Sequence, residues 1–98
     1  MVFLAAEVRR QNALLLEALY LPAEGRVLRR LAELAALYSD GEIPLTQEEL
    51  AEMAGTSRAT VNAVLRSEQG RGTVELRRGR VRVRDATELG RRGFSQVL

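Results

Sequence analysis

The stretch from Thr46 to Arg66 constrains the fold more than any other part of the chain. Thr46-Gln47-Glu48-Glu49 is a capping box, in which the Thr hydroxyl takes the free amide of residue 49 and the Glu carboxylate reaches back to residue 46. Leu50, Met53 and Ala54 follow at helical spacing and are expected to face inward, and Gly55 ends this short helix. Thr56 or Ser57 caps a second helix, expected to run to about Ser67 with Val61, Val64 and Leu65 on its inner face. Leu50, Ala54, Val61 and Val64 are the apolar contacts between the two helices, and Ala51 is small where they cross. Gly55 supplies the left-handed turn that a Cβ would strain. Two short helices spaced in this way around one glycine describe a helix-turn-helix.

Downstream, past a turn expected at Gln69-Gly70-Arg71-Gly72, the apolar period drops to two. Thr73-Val74-Glu75-Leu76 and Arg80-Val81-Arg82-Val83-Arg84 alternate apolar and polar residues around Arg77-Arg78-Gly79, which predicts a β-hairpin. Val74, Leu76, Val81 and Val83 line one face, and Glu75, Arg80, Arg82 and Arg84 the other. A helix-turn-helix followed by such a hairpin is a winged helix. From Asp85 the tail is expected to add one helical turn, Thr87 to Arg92, and then to fray.

Upstream, Met1 to Leu21 is rich in good helix formers. Two heptad-like seams run through it, Leu4, Val8, Gln11, Leu15, Ala18 and Ala5, Val8, Asn12, Leu15, Leu19. A helix of about 20 residues is roughly 30 Å long, more than a domain this small covers by itself. The favoured reading is a dimerisation helix with Leu4, Val8, Asn12, Leu15 and Leu19 at the interface; the alternative is that it folds back on its own domain. Pro22 breaks the helix into a hinge at Leu21-Pro22. A further helix is expected from Ala23 to Tyr38, burying Val27, Leu28, Leu31, Leu34, Ala35 and Tyr38 and leaving Arg29, Arg30 and Glu33 largely in water. Ser39-Asp40-Gly41 stops it, and Glu42 to Leu45, with Pro44, is at most a short edge strand. The predicted fold is mainly α with a small β-hairpin: a dimerisation helix over 1–21 ahead of a winged helix-turn-helix over 22–98.

Composition removes whole classes of function. The 98 residues include no Cys and no His, which excludes thiol nucleophiles, Cys/His zinc sites and His-based catalytic triads. Glu48, Glu49 and Glu52 are better explained by helix capping and a solvated face than by paired-carboxylate chemistry. No enzyme activity, cofactor or metal site is therefore expected. No apolar run reaches the roughly 20 residues that span a bilayer, so a membrane role is not expected either, and a bacterial cytoplasmic protein fits best. The net charge of +2 conceals a division, because residues 1–55 carry −4 and residues 56–98 carry +6, every positive charge being Arg. A guanidinium-rich half suits a phosphate backbone.

The run from Ala18-Leu19-Tyr20-Leu21-Pro22-Ala23-Glu24-Gly25-Arg26-Val27 through Leu31-Ala32-Glu33-Leu34, and the run Leu45 to Asn62 with Thr46-Gln47-Glu48-Glu49-Leu50-Ala51 and Ser57-Arg58-Ala59-Thr60-Val61, resemble a bacterial family. It is the cyclic-AMP receptor protein and fumarate–nitrate regulator family of transcription factors, in its C-terminal part. The resemblance implies a homodimer that binds a two-fold symmetric operator on double-stranded DNA and contacts RNA polymerase. Members carry an N-terminal β-roll that senses an effector. No such domain fits ahead of Met1, so the chain is expected to lack the sensor, and no cyclic-nucleotide site is assigned.

By the same resemblance, Arg58 matches the base-reading arginine, able to donate bidentately to guanine O6 and N7. Ser57 and Thr60 match positions that hydrogen-bond phosphate, and Thr46 sits at a helix amide end that can do the same. Asn62, one turn beyond Arg58, suits adenine or a backbone oxygen, and Arg66 faces phosphates. Arg77, Arg78 and Arg80 are placed to grip the flanking backbone or a minor groove. Two positions depart from the family: Ala59 stands where Glu is common and Ala63 where Arg is common. The Ser39–Pro44 loop is also shorter than the family segment, part of which can contact polymerase. These departures keep a rival open, a winged-helix protein-interaction or dimerisation module without specific DNA binding.

Overall fold

A computed structural model of the chain describes residues 2–95. The expectations for Met1 in the first helix and for the chain beyond Ser95 lie outside the described residues. The elements are α1 (Val2–Tyr20), α2 (Ala23–Ala35), β1 (Glu42–Ile43), α3 (Gln47–Ala54), α4 (Arg58–Arg71), β2 (Val74–Arg77), β3 (Arg80–Val83) and α5 (Ala86–Ser95). This is the mainly helical winged helix-turn-helix with a long leading helix that the sequence predicts.

The hinge is as short as Pro22 dictates. Leu21 is buried, and Pro22, at φ −57° and ψ 153°, starts α2 in an extended conformation. The core is built from Val27, Leu28 and Leu31 of α2, Leu50, Ala51 and Ala54 of α3, Val61, Val64 and Leu65 of α4, one face of the sheet, and Leu89 of α5. The wing is a three-stranded antiparallel sheet in the order β1-β3-β2, not a bare hairpin. Register sets Ile43 opposite Val81 and Val74 opposite Val83, so alternate apolar side chains of β2 and β3 point inward with Ile43. The short edge strand expected from Glu42 is thus real, and it extends the hairpin.

Several boundaries move. Arg77 belongs to β2, paired with Arg80, and leaves Arg78-Gly79 as the turn. The second helix ends at Ala35, not Tyr38; the amides of Leu37 and Tyr38 reach back only three residues, to Leu34 and Ala35, and Tyr38 is exposed. Met53 also faces outward. The burial face of α3 is Leu50, Ala51 and Ala54, and Met53 lies about 100° of helix rotation from Ala54. Helix α4 runs past Ser67 through the expected turn to Arg71, where Gly72 at φ 82° caps it. Glu68 prolongs the buried series Val61, Val64, Leu65 by one turn, and its contacts outweigh the helix cost of Gly70, about 1 kcal/mol.

The single turn expected at Thr87–Arg92 is a ten-residue helix, α5. Asp85 opens it by accepting the Glu88 amide at 3.0 Å, and α5 packs along α2. Finally, Arg29 and Arg30 do not point into water. Arg30 is 8% exposed, and both side chains turn toward the end of α1. The reason is Glu17, whose carboxylate arrives from the neighbouring helix and gives the guanidinium groups a buried partner.

Candidate nucleic-acid interface

The interface begins with two helix caps. Thr46 Oγ1 accepts the Glu49 amide at 3.1 Å, and the Glu49 carboxylate accepts the Thr46 amide at 3.1 Å and the Thr46 hydroxyl at 2.9 Å. The Thr46 amide, followed by its hydroxyl, holds the Glu49 carboxyl below the usual carboxylate range. The capping box therefore fixes where α3 starts. Gly55, at φ 65° and ψ 43°, turns the chain, and Ser57 caps α4 by accepting the Thr60 amide at 3.1 Å. The Ser57 hydroxyl also donates to Thr60 Oγ1 at 3.0 Å. Thr46, Ser57 and Thr60 thus stand at helix entrances with their hydroxyls already engaged. A contact from any of them to phosphate would be made by sharing or exchanging these bonds.

Arg58 is the first residue of α4, and its side chain is exposed with no ion pair or hydrogen bond among the described residues. Asn62 and Arg66 follow at successive four-residue steps, Asn62 half-buried and Arg66 exposed. Ala59 and Ala63 are exposed between them, so part of the outward surface of α4 is methyl groups.

The wing arginines divide into two kinds. Arg77 lies 3.4 Å from Glu42 and 3.3 Å from Glu75, and Arg84 lies 2.8 Å from Glu75. The Arg84 hydrogen bond leads in holding the Glu75 carboxyl below its ordinary range. Arg78 and Arg80 are exposed and make no ion pair among the described residues. Between the start of α3, the start of α4 and the wing tip lies a notch of about 380 Å³. Thr46, Arg58, Arg77, Arg78 and Arg80 all line it. Five of the nine candidate residues, from the start of α3, the start of α4 and the wing, therefore meet in one place; Ser57, Thr60, Asn62 and Arg66 lie at the cap of α4 and along it. Among the described residues no cluster of His, Cys, Asp or Glu could hold a metal ion, and no helix is long and apolar enough to cross a membrane.

Sequence reasoning missed the residues that hold this surface in place. Gln69 Oε1 accepts the Leu76 amide at 2.8 Å, tying α4 to the wing. Glu68, only 1% exposed, takes hydrogen bonds from the Arg92 guanidinium, one of them 2.6 Å long, and one from the Thr73 hydroxyl at 2.7 Å. Burial pushes the Glu68 carboxyl up, but the Arg92 and Thr73 hydrogen bonds and the Arg92 charge outweigh it and the net shift is downward. The spacing Val61, Val64 or Leu65, Glu68 was a signal that Glu68 is inside. Arg26 fills its donors with backbone carbonyls of Leu21 (2.7 Å), Ala54 (2.8 Å) and Gly55 (3.1 Å), joining the hinge to the turn between α3 and α4. Nothing in local sequence marks that role.

A capped helix pair crossing at a left-handed glycine, with an arginine-lined notch under a β-wing, is a winged helix-turn-helix of the kind that regulators use. The chain belongs to the Crp-like helix-turn-helix domain family, which matches residues 25–92. Over 96 residues it is 35% identical to the CRP-like cAMP-activated global transcriptional regulator of Mycobacterium tuberculosis, covering 91% of this chain and 43% of that protein. Among solved structures it resembles the Thermus thermophilus catabolite activator protein, with a TM-score of 0.71, 32% identity, and coverage of 98% of this chain and 45% of that one. A putative transcriptional regulator of the Crp/Fnr family from Eubacterium rectale superposes with a TM-score of 0.79 at 26% identity, covering 88% of this chain and 40% of that one. The chain thus spans less than half the length of each.

Proposed function

We propose that this chain is the DNA-binding part of a bacterial transcription regulator that acts as a homodimer on a two-fold symmetric operator. The observation that carries the reading is the notch: an unpaired Arg58 at the recognition-helix start faces unpaired Arg78 and Arg80 of the wing. In the complex, α4 enters the major groove with Arg58 on a guanine, Asn62 on a neighbouring base or sugar-phosphate, and Arg66 on phosphate. Arg78 and Arg80 hold the adjacent backbone, and Thr46, Ser57 and Thr60 line the phosphates at the helix entrances. Arg77 contributes less than its neighbours, since Glu42 and Glu75 already compensate it.

Dimerisation through α1 is supported by where its apolar side chains lie. Leu4, Val8, Leu15 and Leu19 are 55–64% exposed, on the side opposite the Glu17 that meets the same chain's α2. A seam this apolar is expected to bury itself against a second copy, with Asn12 fixing register. RNA polymerase is the further partner of the reading, although the Ser39–Pro44 loop is shorter than the family segment that can contact it. Cytoplasmic location follows from the same function.

Selection of duplexes from a random pool tests this directly. A palindrome with half-sites about one helical turn apart, roughly 34 Å, is expected. Absence of duplex binding in a gel-shift titration at low salt would remove the DNA reading and leave the protein-interaction module, which the exposed Ala59 and Ala63 favour.

A further inference from the structure

Three arginines of α2 gather at the junction with α1, and one of them, Arg26, also reaches the turn between α3 and α4. Arg30 Nη2 donates to both Glu17 oxygens at 2.8 Å and to Glu33 at 3.1 Å. Arg29 Nη1 donates to the same Glu17 carboxylate at 3.1 Å, while its Nε reaches the Gly93 carbonyl of α5 at 3.3 Å. The side chains of Glu17, Arg29 and Arg30 are only 10–13% exposed. Arg26 adds the backbone tie from Leu21 to the turn between α3 and α4. The last turn of α1 is thereby fastened to α2, to α5 and, through α2, to the recognition unit.

Such a fastening is more than a surface ion pair. Two guanidinium groups converge on one carboxylate in a largely dehydrated place, where breaking one partner away leaves a charge uncompensated. It also bridges the Leu21-Pro22 hinge, the one point at which α1 could pivot on the rest of the chain. A rotation of about 10° there would displace a group roughly 20 Å away by about 3.5 Å, close to the rise of one base pair. The free apolar side of α1 is opposite the fastened side, so pairing through it would leave the clasp intact.

We propose that Glu17, held by Arg29 and Arg30, is a positioning residue that sets the distance and angle between the two recognition helices of the dimer, and so the half-site spacing the protein accepts. The inference rests on the dimeric DNA-binding reading above. Glu17 touches no DNA; it acts through the direction it imposes on α1.

The test uses the 98-residue chain on duplexes carrying one half-site, or two half-sites with the spacer changed by one base pair in either direction. The wild type should bind its best two-site duplex at least about a hundredfold more tightly than one half-site, because a matched geometry makes the second contact intramolecular. Glu17→Gln, and independently Arg30→Gln, should keep the half-site affinity and the dimer mass. Both should lose most of that gain and bind the spacer variants within about twofold of one another. Because the chain has no Cys, a spin label at Ser67→Cys reports the spacing of the two recognition helices: one narrow distance in the wild type, and a broad distribution with either clasp variant. Retained spacer discrimination with a narrow distance in both variants would overturn the inference while leaving the DNA-binding reading standing. A wild type that fails to dimerise or to bind duplex at low salt would overturn both.

Discussion

At the scale of the residue, exposed charge and buried charge do different work. Arg58 is the one candidate base reader at the recognition-helix start that has no partner among the described residues. Arg58→Ala should therefore cost about 1–3 kcal/mol on the best operator and much less on random duplex. Competition binding on the two DNAs measures this, and an equal loss on both would reassign Arg58 to the backbone. Arg78→Ala should lower affinity evenly across sequences and reduce the salt slope by about 1. Glu68 is the opposite case. Glu68→Ala would take from Arg92, whose side chain is 14% exposed, its buried carboxylate while leaving Glu88 at 3.2 Å, and should lower folding stability by about 2 kcal/mol; Glu68→Leu with Arg92→Leu should recover most of that loss. Since the native carboxyl titrates below its unfolded value of about 4.3, its contribution is complete above that pH and disappears as pH falls through the native value. Urea unfolding from pH 6 to pH 3 should weaken the wild type more steeply than Glu68→Gln, and parallel curves would contradict the assignment. The spacing of α4 held the signal that Glu68 is buried. Its partner Arg92 did not announce itself, because it lies 24 residues away on another helix.

At the scale of the element, caps and turns were legible because their physics is local. The capping box at Thr46, the cap at Ser57 and the left-handed Gly55 all stand where the residues demanded them. What local rules missed were ends decided by packing. Helix α4 outruns Gly70 because Glu68 gains buried partners, and α5 is a full helix because Leu89 finds a place in the core. Two glycines separate these influences. At Gly55 a Cβ would meet nothing within 4 Å, so Gly55→Ala should cost only the left-handed conformation, about 1–2 kcal/mol. At Gly41, φ 75°, a Cβ would stand 2.5 Å from the Val83 carbonyl oxygen, at the point where Gly41 accepts the Val83 amide. Gly41→Ala should therefore destabilise more than Gly55→Ala and loosen the β1–β3 edge, as denaturation and amide exchange of Val83 would report. Equal losses would mean that the edge strand adapts freely.

At the scale of the whole molecule, the proposed function divides the chain, with association assigned to α1 and recognition to the remainder. Leu15→Glu places a charge in the exposed seam, away from the clasp, and should yield a monomer with an unchanged winged helix. Sedimentation at high micromolar concentration checks it; a wild type that is already monomeric there would remove the seam from consideration. The charge division, −4 over residues 1–55 and +6 over residues 56–98, falls elsewhere, between α3 and α4. By itself the sequence determined the order of elements, the helix-turn-helix, the period-two wing and the basic half. Each depends on spacing within a few residues, where backbone geometry and side-chain periodicity act directly. The tertiary structure alone decided which charges are spent inside the fold and which are left outside it. Arg26, Arg29, Arg30 and Arg92 look no different in sequence from Arg58, Arg66, Arg78 and Arg80. They are separated only when distant carboxylates and carbonyls arrive within hydrogen-bond reach, since an arginine can be buried only where such partners replace its water.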